Sequence, residues 1–201
     1  MLKVLGICGS PRPNGNTEIL LDAALGEFDG TLFKTEKLQL YRCEMKPCSS
    51  CGSCLGNGKC CIEDDVSSVI LPKLIGSDVI VIASPVYFNN VSAQVKILMD
   101  RTWCIRGKLR DKIGGGIVVG RGYGLESALT AIHAFMLKHE MILGHRGVSG
   151  TAYEKGDIAR DDKATGDAKR FAKRLSALCG LLNRQSVEAS VLGTDDLRGS
   201  G

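Results

Sequence analysis

The sequence predicts an α/β protein: a parallel sheet of five strands covered by helices on both faces. Two observations carry this. Short apolar runs of strand length alternate along the chain with stretches whose apolar residues recur at helical spacing. The first, third and fourth of those runs end in Gly-, Pro- or Asn-containing loops, at the carboxyl edge where such sheets bind ligands.

The first strand is the apolar run LKVLGIC from Leu2, and Thr17, Leu20, Leu21, Ala24, Leu25 and Phe28 then share one helical face. Residues 31–40 form the second strand, followed by a cysteine-rich segment at 43–65. A short helix is expected over 66–75, kinked or shortened by Pro72, which has no N–H to give. Residues 78–83 are the clearest strand, and Ser84-Pro85 turns the chain out of the sheet. A helix over 91–101 and a Gly-rich strand over 113–119 come next. Leu125, Ala128, Leu129, Ile132, Phe135 and Met136 make another helical stripe, and 141–151 is the fifth strand. Phe171, Ala172, Leu175, Leu178 and Leu182 mark the last helix. Periodicity ends near Arg184, so residues 1–183 are expected to form one domain and 184–201 a flexible tail.

At 201 residues and 44% hydrophobic content, the chain suits a single core. The formal charge of +4, with no basic run and no aromatic-studded basic stripe, argues against a nucleic-acid partner. No stretch approaches the ~20 apolar residues needed to span a bilayer. Gly6 and Pro11 also come too early for a signal peptide. The expectation is a cytoplasmic protein, whose nine cysteines are reduced thiols, metal ligands or redox groups.

The loop Gly9-Ser10-Pro11-Arg12-Pro13-Asn14-Gly15-Asn16-Thr17 joins the first strand to the first helix. Helix N–H groups, the positive end of the helix dipole, small polar side chains and one Arg all suit a phosphate monoester. Five residues rather than four separate the glycines, and Asn16 stands where a P-loop needs Lys. A plain βα turn with a polar cap would account for the residues alone. The stretch GSPRPNGNTEILL, however, resembles the phosphate loop of the NADPH-dependent FMN reductase family. That resemblance implies that Ser10, Arg12, Asn14, Asn16 and Thr17 hold the phosphate of FMN.

After the third strand, Ser84-Pro85-Val86-Tyr87-Phe88-Asn89-Asn90 places two aromatics at the ligand edge. They could seal a core or a subunit contact. The stretch SPVYFNNVSAQVKILMDRT is similar to the isoalloxazine loop and following helix of the same family, which implies a flavin contact through Pro85, Val86, Tyr87, Phe88 and Asn89. Gly120 and Gly122 in the loop GRGYG let a backbone approach a ring closely. The resemblance implies contact there with the flavin's far edge, and a plain turn is the alternative.

Cys48, Cys51, Cys54 and Cys60 are spaced C-x2-C-x2-C-x5-C, with Cys61 adjacent. Dense short spacings of this kind serve cubane clusters, whereas structural zinc takes two separated C-x2-C knuckles. A single redox C-x-x-C pair would leave two or three thiols unexplained. The spacing and the following Glu63-Asp64-Asp65 resemble the iron–sulfur flavoproteins, a branch of the same family. The resemblance implies a 4Fe–4S cluster on Cys48, Cys51, Cys54 and Cys60, with Cys61 the alternative fourth ligand and zinc or free thiols the alternative state. Cys8, Cys104 and Cys179 fall in strand or helix patterns and are expected to be core thiols.

His133, His139 and His145 recur every six residues, and six helical steps turn through about 600°, so His133 and His139 do not share a face. The resemblance covers about residues 2–179. It implies a flavodoxin-like three-layer α/β/α fold with strand order 2-1-3-4-5, an FMN oxidoreductase passing electrons between cluster and flavin, and a homodimer or homotetramer. A redox partner protein or NAD(P)H would be the electron donor. The rival readings are a cluster-free NAD(P)H-dependent FMN or quinone reductase, a non-catalytic electron carrier, and a zinc or thiol redox sensor.

Overall fold

The computed structural model describes the backbone of residues 1–191 and the side chains of residues 1–182. The chain runs β1 (Leu2–Cys8), α1 (Asn16–Leu25), β2 (Phe33–Gln39), α2 (Cys54–Asn57), α3 (Leu71–Ile75), β3 (Val79–Pro85) and α4 (Ala93–Arg101). It continues through β4 (Ile113–Gly120), α5 (Leu125–Lys138), β5 (Ile142–Leu143), β6 (Val148–Thr151) and α6 (Asp162–Val191). The pairings are parallel, in the order β2-β1-β3-β4-β5 with β6 also against β4. This is the expected flavodoxin-like arrangement.

Strands covered on both faces send alternate residues to opposite sides. Val79, Val81 and Ala83 of β3 join a core with Leu20, Leu21 and Ala24 of α1 and Phe171 and Leu175 of α6. Ile80 and Ile82 join the opposite core with Leu74 of α3, Val95 and Leu98 of α4, and Ile132 and Met136 of α5. All of these side chains are fully buried, and each one larger than Ala contributes roughly 1.5–3 kcal/mol relative to exposure. Gly115 matters to this packing, because a Cβ there would lie 2.3 Å from the Phe171 ring. The result is a rigid frame from which the loops at the carboxyl edge project.

Two expectations are corrected. The fifth strand is two short pieces on the same side of β4. Between them, Gly114 to Ile117 on β4 is matched by the longer stretch Leu143 to Val148. The extra length is absorbed by glycines: Gly147 has φ +89°, and a Cβ on Gly144 would lie 1.8 Å from Leu178 Cδ1. The helix over 66–75 forms, but its first half, Val66–Ile70, is π-helical, and Pro72 opens the α-helical half that follows. A wider turn before a proline leaves no i−4 carbonyl waiting for its missing N–H. The last helix runs on to Val191, and residues 192–201 of the expected tail lie outside the described residues.

Candidate functional site

Four loops stand at the carboxyl edge, after β1, β3, β4 and β6, and each is fastened to the next. Ser92 Oγ donates to Gly9 O at 2.7 Å, tying the β3 loop to the β1 loop. Gly124, at φ +67°, packs so closely on Asn89 that a Cβ would come within 2.5 Å of its Oδ1. Arg121 Nη2 donates to Tyr153 O at 3.3 Å. Asn16 closes the ring: its Nδ2 donates to Glu154 O at 2.8 Å and its Oδ1 accepts from Gly156 N at 2.8 Å. The fourth loop, 152–156, was not singled out in the sequence, although the strand-end rule applied to the fifth strand points to it.

In the first loop Ser10 is buried, and its Oγ accepts from Arg12 N at 3.2 Å. Asn14 sits at φ +52° and donates its backbone N–H to Glu18 Oε2 at 2.7 Å. Glu18 is buried at the start of α1; burial pushes its carboxyl up, but Lys37, the Asn14 N–H and Gln39 outweigh this and hold it below the usual range. The Lys37 ammonium lies 2.8 Å away, so the carboxylate stays compensated beside the helix N-terminus. Thr17 is buried and Arg12 exposed. The first-turn N–H groups of α1 have no intrahelical acceptor. These groups can receive a phosphate, whereas the Asn16 amide is already engaged with the fourth loop.

The second loop is a tight hairpin. Tyr87 N donates to Asn90 O at 2.9 Å and Asn90 N returns the bond to Tyr87 O at 3.0 Å. Phe88 and Asn89 between them have φ +48° and +60°, the type I′ geometry that a Phe adopts only at a cost. Phe88 is fully exposed and Tyr87 43% exposed. Ser84 is buried below them, donating to Pro85 O and accepting from Ser92 N. With Gly122 at φ +91° in the third loop, the edge offers aromatic surface and bare backbone to a flat ring system. The donors and the aromatic edge together fit FMN.

The cysteines lie elsewhere. Cys48, Cys51, Cys54, Cys60 and Cys61 line one cavity of about 870 Å³ with Met99, Trp103, Cys104, Phe135 and His139. These partners come from the last turns of α4 and α5 and the segments after them, whereas the loops that follow β3 and β4 precede the first turns of the same helices. Within the loop Cys51 Sγ is 3.3 Å from Cys61 Sγ and 3.4 Å from Ser53 Oγ. Ser53, followed by Cys61, lowers the Cys51 thiol to about 7. Among the described residues no three His, Cys, Asp or Glu side chains converge as a metal site. The donors, five thiols on one wall-lined cavity, fit a thiolate-ligated cluster in kind, and left-handed Ser50, Gly52 and Gly58 let the loop fold tightly around one.

Asp64 and Arg101 close the base of this loop. Both side chains are fully buried, paired through Nη1–Oδ2 at 2.7 Å and Nη2–Oδ1 at 2.9 Å. Arg101 Nη1 also donates to Lys46 O and Nη2 to Ile62 O, so one guanidinium grips the chain on either side of the cysteines. Asp64 in turn accepts from Lys46 N at 2.9 Å. Asp65 fastens the same base by accepting from Glu44 N at 2.7 Å. Arg101 was not singled out in the sequence; a cation ending a helix is its only local signal. Cys8 and Cys179 are core thiols as expected, each pushed up to about 11 chiefly by burial. Cys104 is buried too, but it faces the cysteine cavity, where burial, then Cys60 and Cys54, raise its pKa.

The model of the NADPH-dependent FMN reductase family matches residues 2–153. An iron-sulfur flavoprotein of Methanocaldococcus jannaschii is 40% identical over 194 residues, covering 91% of this chain and all of the relative. RosB, bound to 8-demethyl-8-formylriboflavin-5′-phosphate, superposes with a TM-score of 0.75 at 14% identity, covering 100% of this chain and 91% of that one. A WrbA-like flavodoxin from Agrobacterium tumefaciens gives a TM-score of 0.57 at 16% identity over 88% of this chain and 99% of its own. The two structural likenesses bear on the fold alone.

Proposed function

The chain belongs to the NADPH-dependent FMN reductase family, with iron-sulfur flavoproteins among its relatives, and is a flavin-dependent oxidoreductase; from that premise we propose that it exchanges electrons between FMN and a 4Fe–4S cluster held by Cys48, Cys51, Cys54 and Cys60. The observation that carries the cluster is the gathering of Cys48, Cys51, Cys54, Cys60 and Cys61 on one cavity, in a loop whose base is locked by Arg101 and Asp64. When bound, FMN supplies the conversion between one- and two-electron steps and the cluster supplies single-electron steps. Ser10, Arg12 and Thr17, with the first-turn N–H groups of α1, hold the phosphate; Asn14 and Asn16 hold the shape of the cradle. Pro85, Val86, Tyr87, Phe88 and Asn89, with Gly120 and Gly122, border the ring. NAD(P)H or a redox partner protein delivers the electrons.

Anaerobic purification followed by flavin, iron, sulfide and zinc analysis tests the reading. The expected result is FMN with iron and sulfide in equal amounts. FAD in place of FMN would overturn the flavin assignment. Flavin without iron or sulfide would select the second reading, a cluster-free reductase with paired thiols, which the contact between Cys51 and Cys61 favours. Arg12→Ala should weaken FMN binding by ~1–3 kcal/mol, the loss of a hydrogen bond to a charged group.

A further inference from the structure

We propose that Cys51 and Cys61 form a reversible disulfide when the loop holds no cluster, and that this disulfide withholds Cys51 from metal. Of the five cysteines of this segment that line the cavity, Cys61 is the one that a cluster on the other four leaves over, and the structure gives it a partner. Its Sγ lies 3.3 Å from Cys51 Sγ, so closure to a bond of about 2.0 Å needs a shift of little more than an ångström. Both residues are exposed, so a soluble oxidant can reach them. The backbone between them can follow, since Gly52 and Gly58 occupy the left-handed region and nothing lies within 4 Å of a Cβ built on Gly56. The loop's ends stay fixed through Arg101 and Asp64, so the change is confined to the cysteine stretch.

The oxidant is a low-molecular-weight disulfide, RSSR. Cys51 gives up its proton and its sulfur attacks one sulfur of RSSR. The S–S bond breaks, one RSH leaves with that proton, and a mixed disulfide remains on Cys51. Cys61 then gives up its proton and attacks the Cys51 sulfur, releasing the second RSH. Two protein thiols are oxidised to one disulfide and RSSR is reduced to two RSH. The site is regulatory because a cubane needs the Cys51 thiolate that the disulfide removes. This consequence rests on the cluster reading above, while the disulfide itself rests only on the geometry.

The test uses metal-free full-length protein treated anaerobically with a stoichiometric amount of glutathione disulfide, alkylated, digested and mapped by mass spectrometry. The expected result is a dominant Cys51–Cys61 cross-link and the loss of two of the nine free thiols. Cys61→Ser should instead leave glutathione on Cys51 with no cross-link. Iron uptake from iron and sulfide should be lost in the oxidised protein and restored by dithiothreitol. Cross-links joining other cysteines, or an unchanged cross-link yield in Cys61→Ser, overturn the inference. Oxidised protein that loads iron as fully as reduced protein overturns its regulatory half. Reduced protein that takes up no iron would sink the cluster reading instead, and the mapped cross-link would still decide the disulfide.

Discussion

His139 shows how much a single side chain can settle. Thr102 Oγ1 donates its proton to Met99 O at 2.7 Å, so at 2.9 Å it can only accept from His139 Nε2. That fixes the tautomer and leaves Nδ1, buried and without a partner, as the bare acceptor. Protonation would place an N–H there with nothing to receive it, and burial, then Lys138, accordingly lowers the pKa. Burial lowers His133 and His145 in the same way. Below the unfolded pKa of about 6.5 the unfolded chain binds protons that the folded chain resists, so stability falls as pH drops from there. Urea midpoints should therefore decline between pH 7 and 5, and His139→Gln should flatten that decline. An unchanged slope would mean that the ring is not held neutral. At the same scale Asn16 separates two roles that its position alone confounds. Asn16→Ala should expose the 152–156 loop to proteolysis even without flavin, because its amide fastens Glu154 and Gly156, whereas Thr17→Ala should affect flavin binding only.

The cysteine loop is an element with almost no apolar content, and its base is held by one buried ion pair. Removing one partner of such a pair leaves a buried charge uncompensated, at a cost of about 3–5 kcal/mol. Arg101→Met or Asp64→Ala should each destabilise the protein on that scale in denaturant titrations. The double variant Arg101→Met/Asp64→Leu should recover much of the loss, because no charge is then stranded. Burial pushes the Asp64 carboxyl up, but Arg101 and the N–H groups of Lys46 and Ser67 bring its net pKa below the ordinary value. Its contribution is thus present above the unfolded pKa of about 3.9 and is lost as pH falls through the folded value. How far this element was legible depends on the kind of signal. The cysteine spacing is local and was read directly. The pairing of Asp64 with Arg101 joins residues 37 apart, and no local pattern marks which carboxylate a helix-ending Arg will find. The π-helical turn before Pro72 was half legible: the proline announces a disturbance, but packing decides its form.

Across the whole molecule, the two-sided core follows from apolar runs that any covered α/β sheet would need, which is why it could be read in advance, whereas the strand order was legible only through the family resemblance. The broken fifth strand could not, because Gly144 and Gly147 act only through their contacts with Leu178 and Leu129, far away in sequence or on another element. The relation between the two candidate sites also belongs to this scale. Ser92 caps the start of α4 and holds the loop after β1, while Arg101 ends the helix and holds the cysteine loop. Nine residues of helix separate those ends by about 13 Å, and α5 repeats the arrangement, with the third flavin loop before it and the cysteine cavity after it. One chain therefore holds its cysteine cavity and its candidate flavin loops at opposite ends of the same helices. The exposed Phe88 and Tyr87 at the flavin end, and Trp103 under the Arg106 cation at 4.3 Å at the other, offer surfaces for a second copy. We propose a homodimer or homotetramer that sets the cysteine end of one subunit against the candidate flavin end of another, an arrangement that would shorten the path for electrons between cluster and flavin. Light scattering should then give an oligomer, and Phe88→Asp, which leaves the hairpin's backbone bonds intact, should yield monomers that bind FMN more weakly and that, once saturated with FMN and still holding iron, lose rapid electron exchange between them in stopped-flow absorbance. Monomers that exchange electrons at the wild-type rate would show that a single chain suffices.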